Sequence, residues 1–391
     1  MKVAVLGGCG IQGRTAVYDL SIQEEIEEVI CADINFDDLH KIENCADMTK
    51  ITQIKLDVGN TDALENVFKK VDVVVDLLPR FFLDNVHKAA LTTKTSIVNS
   101  NYIYGGDADL DRKAKDAGIS IMPECGLDPG IDLIIYGYTV KKFDEVHVIN
   151  SYCGGFPDKK ACTNPINYKV SWTWSGVLSS TMRDASLIKD GKIVDIPAME
   201  QHDKANIHQI NFPGLGELEA IPNGNATFFT DLLNVTKTIK ETGRYSLRWP
   251  GWSAFWNPLK KLGFLSNEPV KGLACEVSPV QFLDKLMGPG LEYADDERDL
   301  VVMLNLFEGI KDGKKIRIVN RLLIKRDLNT GLMAMSQGVG YPASIVARMI
   351  ANKEITRKGL LSPTKHIPYE PFMERLRDRG IIAFEEEQDI N

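Results

Sequence analysis

The 391-residue sequence predicts an α/β fold: a doubly wound parallel sheet, plus a second α+β domain with a mainly antiparallel sheet. Three observations carry this prediction. Residues 1–123 alternate short apolar runs with amphipathic stretches, the pattern of repeated strand–helix–strand units. Gly8, Gly10 and Gly13 follow the first apolar run at G-x-G-x-x-G spacing. From residue 144 onward the texture shifts to alternating strands mixed with aromatic residues, which suits antiparallel pairing.

Residues 3–6 (VAVL) are apolar without alternation and read as a strand buried on both faces. Gly8 lets the chain turn sharply out of that strand, and Gly10 removes the Cβ that would keep a pyrophosphate at a distance. Gly13 lets helix and strand pack closely, and Ile11 lies in the same turn. The following helix offers free N–H groups and a positive dipole end to phosphates, as in a Rossmann dinucleotide site. A second apolar run, residues 28–32, ends at Asp33, 20 residues beyond Gly13. An acid there accepts both hydroxyls of an adenosine ribose and repels a 2′-phosphate, which favours NAD and leaves NADP possible. The alternative is that Asp33 merely ends a strand and caps the next helix.

Residues 36–50 read as a polar helix and 54–58 as a third strand, with Asp57 and Val58 at its carboxyl end, near the adenine position of such sheets. Thr61 caps the next helix, which carries Leu64 and Val67 on its apolar face. Residues 71–78 form the most hydrophobic strand, stopped by Pro79; a helix over 81–92, a strand over 95–100, a helix over 107–117 and a sixth strand over 119–123 follow. Ligands in this fold sit beyond the carboxyl ends of the strands, which singles out Leu78, Asn99, Tyr102 and residues 124–128. In 124–132 (ECGLDPGID), Gly126 and Gly130 let the backbone turn and Pro129 suits a helix start. Asp128 is then either a helix cap or a functional carboxylate beside a helix N-terminus.

A helix over 130–141 leads into the second domain, read as a lid over the cofactor mouth. A strand over 145–153 is expected to end at Gly154-Gly155. Further strands are expected near 192–197, 217–221, 244–249, 300–307 and 316–325, and helices near 175–186, 228–240 and 253–263. Lys169, Arg244 and Arg248 are either solvated or, if they point inward, grips for carboxylates. Amphipathic helices over 341–350 and 369–379 are expected to pack back on the first domain. The expected boundaries are 1–128, 129–338 and 339–391.

Composition narrows the function classes. A formal net charge of −8 argues against a nucleic-acid footprint, which needs a basic stripe. No apolar run approaches the ~20 residues of a membrane span. The first strand begins at once, leaving no room for a signal peptide. The seven cysteines form no CxxC pair and the histidines show no ligand spacing, so no metal site and no disulfide framework is expected. A reducing cytoplasm is the expected location.

These stretches together resemble the saccharopine dehydrogenase family, in its L-glutamate-forming branch. The resemblance rests on the glycine triplet, Ser100-x-Tyr102, residues 124–132, and Ser151-Tyr152-Cys153-Gly154-Gly155. It continues through Asn164-Pro165, Tyr168-Lys169, Ser171-Trp172, Leu247-Arg248-Trp249, Asp296-Glu297-Arg298-Asp299 and Gly340-Tyr341-Pro342. The resemblance implies an NAD(P)-dependent oxidoreductase acting on the C–N bond of an amino-acid amine in lysine metabolism, with a small-molecule substrate and a homodimeric assembly. It makes Tyr102, Asp128, Cys153, Ser246 and Arg248 substrate contacts. Asp128 would hold the cationic amine and manage one proton, and Tyr102 and Cys153 would position the nitrogen or a water. Arg248, Arg244 and Lys169 would fix carboxylates. Gly224 stands where glutamate-forming members carry an arginine. With Asp33, it pulls toward lysine 6-dehydrogenase, a relative acting on the lysine side-chain amine. The match over 151–172 and 292–299 pulls back to saccharopine. A non-catalytic NAD(H)-sensing protein is the reading from another class.

Overall fold

The computed structural model describes residues 1–103 and 106–390. The chain divides into two compact units, Met1–Tyr138 with Asp327–Ile382, and Thr139–Arg326 with the segment from Ala383 onward. The first holds β1 (Lys2–Leu6), α1 (Ile11–Ser21), β2 (Glu28–Asp33), β3 (Ile51–Lys55), α2 (Thr61–Phe68), β4 (Val73–Asp76), α3 (Leu83–Thr93), β5 (Ser96–Asn99), α4 (Ala108–Ala117), β6 (Ser120–Met122) and most of α5 (Ile131–Thr139). Its strands pair in parallel in the order β6-β5-β4-β1-β2-β3, and the short strand Gly359–Leu360 lies beside β6. The sheet is doubly wound as expected. Strand order reverses between β1 and β4, so the crevice at their carboxyl ends is where such a sheet takes a ligand.

Two local expectations fail in this unit. Residues 36–50 form only the 3₁₀ turns Leu39–Ile42 and Met48–Lys50 instead of a helix. The side chains of Asn35 and Asp47 accept the backbone N–H groups of Asp37 and Thr49, and such local bonds compete with helical ones. β3 therefore starts at Ile51 and stops at Lys55, which leaves Asp57 and Val58 beyond its end.

The helix Ala334–Ala351 packs on α1, β4 and β5. A Cβ on Gly340 would lie 2.7 Å from the Thr15 Cβ, so this glycine permits the close helix crossing. Asp19, 1% exposed, clamps the layer. It accepts Arg379 Nε at 2.6 Å, Arg379 Nη2 at 3.0 Å, and the Ser344 hydroxyl. Asp19→Asn keeps the shape and removes the charge. It should lower unfolding stability by roughly 1.5–3 kcal/mol, the range for hydrogen bonds to charged groups, as read by chemical denaturation.

The second unit contains β7 (Glu145–Pro157), α6 (Trp174–Ser180), β8 (Ala185–Lys189), β9 (Lys192–Ile196), β10 (His208–Phe212), β11 (Gly216–Pro222), β12 (Gly224–Asn225), α7 (Phe228–Leu232), β13 (Glu241–Arg248), α8 (Trp252–Lys261), α9 (Pro279–Met287), β14 (Asp299–Lys311) and β15 (Lys314–Lys325). Its main path runs β10-β11-β13-β7-β14-β15 and ends on the strand Ala383–Asp389. The pairing is antiparallel apart from β13 with β7 and β12 with β8.

β7 runs through Gly154 and Gly155 instead of stopping there. A Cβ on Gly154 would come within 2.3 Å of the Leu247 carbonyl oxygen, so the glycine marks a close approach of β13. The expected helix over 228–240 is only α7, since Asn234 takes a left-handed φ of 64° two residues past its end. The helix expected over 175–186 ends at Ser180 because β8 starts at Ala185. The boundaries shift as well. The first segment runs to Tyr138, and residues from 383 join the second sheet through pairing of Ala383–Asp389 with β15. Among the described residues, no helix is long and apolar enough to cross a membrane, and no group of three or more His, Cys, Asp or Glu could hold a metal.

Candidate active site

The glycine turn shows which glycines serve the fold and which leaves room for a ligand. A Cβ on Gly8 would lie 2.6 Å from Cys31 Sγ, and one on Gly13 would lie 1.9 Å from the Gly7 carbonyl oxygen. Both are demanded by packing. Gly10 has an ordinary φ of −64°, and its Cβ would meet only the Gly7 oxygen at 3.2 Å. The protein's own packing makes a milder demand there than at Gly8 or Gly13, and a phosphate at the N-terminus of α1 would add a stronger one. That terminus, beginning at Ile11, has no side-chain cap. The arrangement fits a phosphate-bearing dinucleotide. Gly10→Ala should therefore leave stability within about 1 kcal/mol of wild type while weakening dinucleotide binding at least about tenfold. Thermal unfolding and a cofactor titration check both halves.

Asp33 does not cap a following helix. Its Oδ2 accepts the Cys9 N–H at 2.9 Å and its Oδ1 accepts the Ile34 N–H at 2.7 Å, which pins the carboxylate beside the glycine turn. Arg14, on α1, donates to the Cys9 carbonyl at 2.7 Å and to Asp38 at 3.0 Å. The Leu78 side chain lies 3.2 Å from where a Gly7 Cβ would sit. The Asn99 side chain accepts the Asn101 N–H at 2.9 Å. Asp57 accepts the Gly59 N–H at 2.8 Å, and buried Val58 accepts Asn85 Nδ2 at 3.2 Å through its carbonyl.

Asp76 ends β4 beneath this crevice, 1% exposed, and its carboxyl accepts the Leu78 N–H at 3.1 Å. Desolvation pushes its pKa up to about 7, with the Leu78 hydrogen bond opposing. A carboxyl whose folded pKa is raised favours the native state fully below its unfolded pKa, and that contribution is lost as pH rises through about 7. Asp76→Asn should then flatten the decline in stability between about pH 4 and 8, measured as Tm against pH in both proteins.

Tyr102 and Asp128, both half-buried, are brought together: the Tyr102 hydroxyl donates to Asp128 Oδ1 at 2.7 Å. α5 starts at Ile131, and Asp132 Oδ1 accepts the Gly130 N–H at 2.7 Å.

In the second unit, strand register assembles the other candidates. Along β13, Arg244 lies opposite Ser151 of β7 and Ser246 opposite Cys153, while Arg248 lies opposite Glu219 of β11. Alternate residues of a strand share a face, so Arg244, Ser246, Arg248 and Cys153 project to the same side. At ~3.3 Å per residue, Arg244 and Arg248 are roughly 13 Å apart, with Ser246 midway. Arg248 is 6% exposed; its guanidinium carbon lies 5.2 Å from the ring centres of Tyr168 and Trp252, and Nη1 donates to the Leu247 carbonyl at 2.7 Å. Among the described residues no carboxylate forms an ion pair with Arg248, and its buried Nε has no hydrogen-bond partner. Arg244 is buried over the Phe229 ring, 5.6 Å from its centre.

Lys169 departs from its expected role. Its ammonium donates to both oxygens of Glu297, at 2.7 and 2.5 Å, so a protein carboxylate already neutralises it.

Comparison with known proteins gives the chain's family. A family model described as the saccharopine dehydrogenase NADP binding domain matches residues 3–122, and one described as the saccharopine dehydrogenase C-terminal domain matches residues 126–381. The chain is 28% identical to the saccharopine dehydrogenase [NADP(+), L-glutamate-forming] of Saccharomyces cerevisiae, over 98% of this chain and 99% of that one. It is also 28% identical to the mitochondrial alpha-aminoadipic semialdehyde synthase of Rattus norvegicus, over 97% of this chain and 47% of that protein. It thus spans about half the length of the first curated relatives it matches. The solved apo saccharopine dehydrogenase (L-Glu forming) from S. cerevisiae superposes with a TM-score of 0.85 at 26% identity, covering 99% of both chains.

Proposed function

The chain belongs to the saccharopine dehydrogenase family, and from that membership we propose that it is a nicotinamide-dinucleotide-dependent oxidoreductase acting on the C–N bond of saccharopine, releasing glutamate and α-aminoadipate semialdehyde in lysine metabolism. The observation that supports an amino-acid substrate best is Arg248, a buried guanidinium with no carboxylate partner among the described residues. A buried cation held without a counter-ion is costly unless a ligand anion completes it.

When bound, the dinucleotide supplies the acceptor, and in reverse the donor, of the hydride on the carbon attached to nitrogen. The glycine turn and the α1 N-terminus would hold its phosphates, and Asp33 would bind the adenosine ribose. The Asp128 carboxylate holds the substrate's cationic amine and takes one proton from it as the C–N bond becomes an imine. Tyr102, donating at 2.7 Å, fixes the orientation of that carboxylate. Cys153 and Ser246, side by side across β7 and β13, position the nitrogen or the water that hydrolyses the imine. Arg248 and Arg244 hold carboxylates of the substrate; Lys169, paired with Glu297, does not.

NAD is the preferred cofactor in this reading. Asp33, pinned beside the glycine turn, would repel a 2′-phosphate, and Arg14 is paired with Asp38. We expect kcat/KM for NAD to exceed that for NADP at least tenfold, roughly 1.4 kcal/mol of discrimination. Asp33→Ala should narrow the ratio without abolishing NAD use; a wild-type ratio at or below unity overturns the preference.

Purified protein incubated with NAD or NADP and either saccharopine or lysine tests the whole reading through reduced-cofactor absorbance. Turnover of saccharopine is the expected result. Lysine oxidation with saccharopine ignored would transfer the function to lysine 6-dehydrogenase, the alternative that Gly224 favours by carrying no side-chain cation. Cofactor binding without turnover of either amine would leave an NAD(H) sensor.

A further inference from the structure

Arg248 has an acid directly opposite it in the sheet and forms no ion pair with it. Glu219 of β11 is its register partner, so both side chains leave the sheet on the same face. Both are buried, Glu219 at 7% exposure and Arg248 at 6%. A carboxylate so placed would ordinarily close on the guanidinium as a bidentate pair. Glu219 is instead engaged by the N-terminus of α8. Its Oε1 accepts the Ser253 N–H at 2.7 Å and its Oε2 accepts the Gly251 N–H at 3.4 Å. The first turn of a helix has N–H groups without intrahelical partners and the positive end of the helix dipole, and both favour a carboxylate. Gly251 precedes the helix with a left-handed φ of 103° and has no side chain to cap it, so the cap comes from β11.

The residue between those two N–H groups is Trp252, 4% exposed, whose ring centre lies 5.2 Å from the Arg248 guanidinium carbon. Fixing Gly251 and Ser253 therefore fixes the aromatic ring against which Arg248 rests. A second contact steadies the same turn: the Ser253 hydroxyl and His202 Nδ1 lie 2.9 Å apart, and both residues are buried. Burial, followed by the charges of Lys260 and Arg248, pushes the His202 pKa down to about 3, so this support is neutral. We infer that Glu219 is a positioning residue for the substrate-carboxylate site: by holding the start of α8 it sets Trp252 against Arg248 and keeps its own charge from closing on the guanidinium. The inference rests on the proposed role of Arg248 and deepens it. An acid one methylene shorter falls short of the α8 N–H groups and is released toward Arg248, where it competes with the carboxylate of a ligand. Glutamine reaches the Ser253 N–H through its amide oxygen and presents no charge to Arg248.

Glutarate, a dicarboxylate without an amine, titrated calorimetrically reads this site without turnover. Wild-type protein should bind it, and Arg248→Ala should bind at least about tenfold more weakly. Glu219→Ala and Glu219→Asp should each lose at least about tenfold in the same titration, whereas Glu219→Gln should bind within about threefold of wild type or more tightly. Saccharopine kinetics should follow: KM raised at least about tenfold in the alanine and aspartate variants, with kcat within about threefold and NAD affinity unchanged. A cap that served stability alone would give neither that split nor its rescue by glutamine. Wild-type glutarate affinity in folded Glu219→Ala or Glu219→Asp protein overturns the role of Glu219 and leaves that of Arg248 intact. A glutamine variant as weak as the alanine one overturns positioning through reach. Should Glu219→Ala fail to fold, Glu219→Asp decides by the same titration. Equal glutarate binding by wild type and Arg248→Ala, or none by wild type, overturns the Arg248 reading instead, and this inference with it.

Discussion

Asp128→Asn should slow turnover by roughly 10²–10⁴-fold while stability and cofactor affinity stay close to wild type. The expectation follows from what the carboxylate touches. It accepts the Tyr102 hydroxyl at 2.7 Å, a contact an asparagine oxygen can reproduce. The nearby capping-type bond is made by Asp132 to the Gly130 N–H, so α5 does not depend on Asp128 for that bond. What asparagine lacks is negative charge and basicity. If the carboxylate holds a cationic amine and removes a proton as the C–N bond is oxidised, both properties are needed in the transition state. The proposed cofactor cradle, with Gly8, Gly10, Gly13 and Asp33, should not register the change. Near-normal kcat in a folded variant would return Asp128 to a structural role, and a weakened NAD titration would show that the substitution disturbed the crevice instead of the chemistry.

The parts of this molecule legible in the sequence are those set by short-range rules. β1, the glycine turn, α1 and Asp33 lie within 33 residues of one another, and each residue type has a local reason to be where it is. Strand–helix alternation likewise announces the parallel sheet, because every crossover requires it. The failures share a different cause. Gly154-Gly155 reads as a strand stop in one dimension, yet in the sheet it is where the Leu247 backbone comes too close for any Cβ. Lys169 reads as a free cation until Glu297, 128 residues away, is folded onto it. The strand Ala383–Asp389 falls in the segment 339–391 expected with the first domain, and its three consecutive glutamates show no apolar alternation; it pairs with β15, where Arg321 meets Glu386. α9 could have been found, since Ser278, Pro279 and Gln281 spell a capping box with proline in the first turn. The apposition of Glu219 and Arg248 could not, because it depends on β11 lying against β13.

Arg248→Ala should raise KM for saccharopine between about a hundredfold and a few thousandfold, corresponding to ~3–5 kcal/mol for stranding a desolvated carboxylate without its partner. The side chain is 6% exposed and rests against the Tyr168 and Trp252 rings, which pack on each other with centres 4.9 Å apart, and its Nη1 donates to the Leu247 carbonyl, so its orientation is set before any ligand arrives. Preorganisation of this kind makes a cation effective at binding, and it makes lysine a poor replacement. Arg248→Lys keeps the charge but loses the planar fork and the stacking, and should recover only a minor part of the affinity. Stability separates this role from an ordinary structural arginine. With no carboxylate ion pair among the described residues, burial of the guanidinium penalises the free protein, offset in part by the aromatic faces and one carbonyl. Arg248→Met, of similar length and apolar, should therefore fold with stability equal to wild type or above it while binding saccharopine as poorly as Arg248→Ala. Denaturant unfolding and substrate titration of the same preparation make the comparison. A methionine variant that unfolds several kcal/mol more easily would show that Arg248 holds the sheet together, and a variant with unchanged KM would move the substrate carboxylate to another cation.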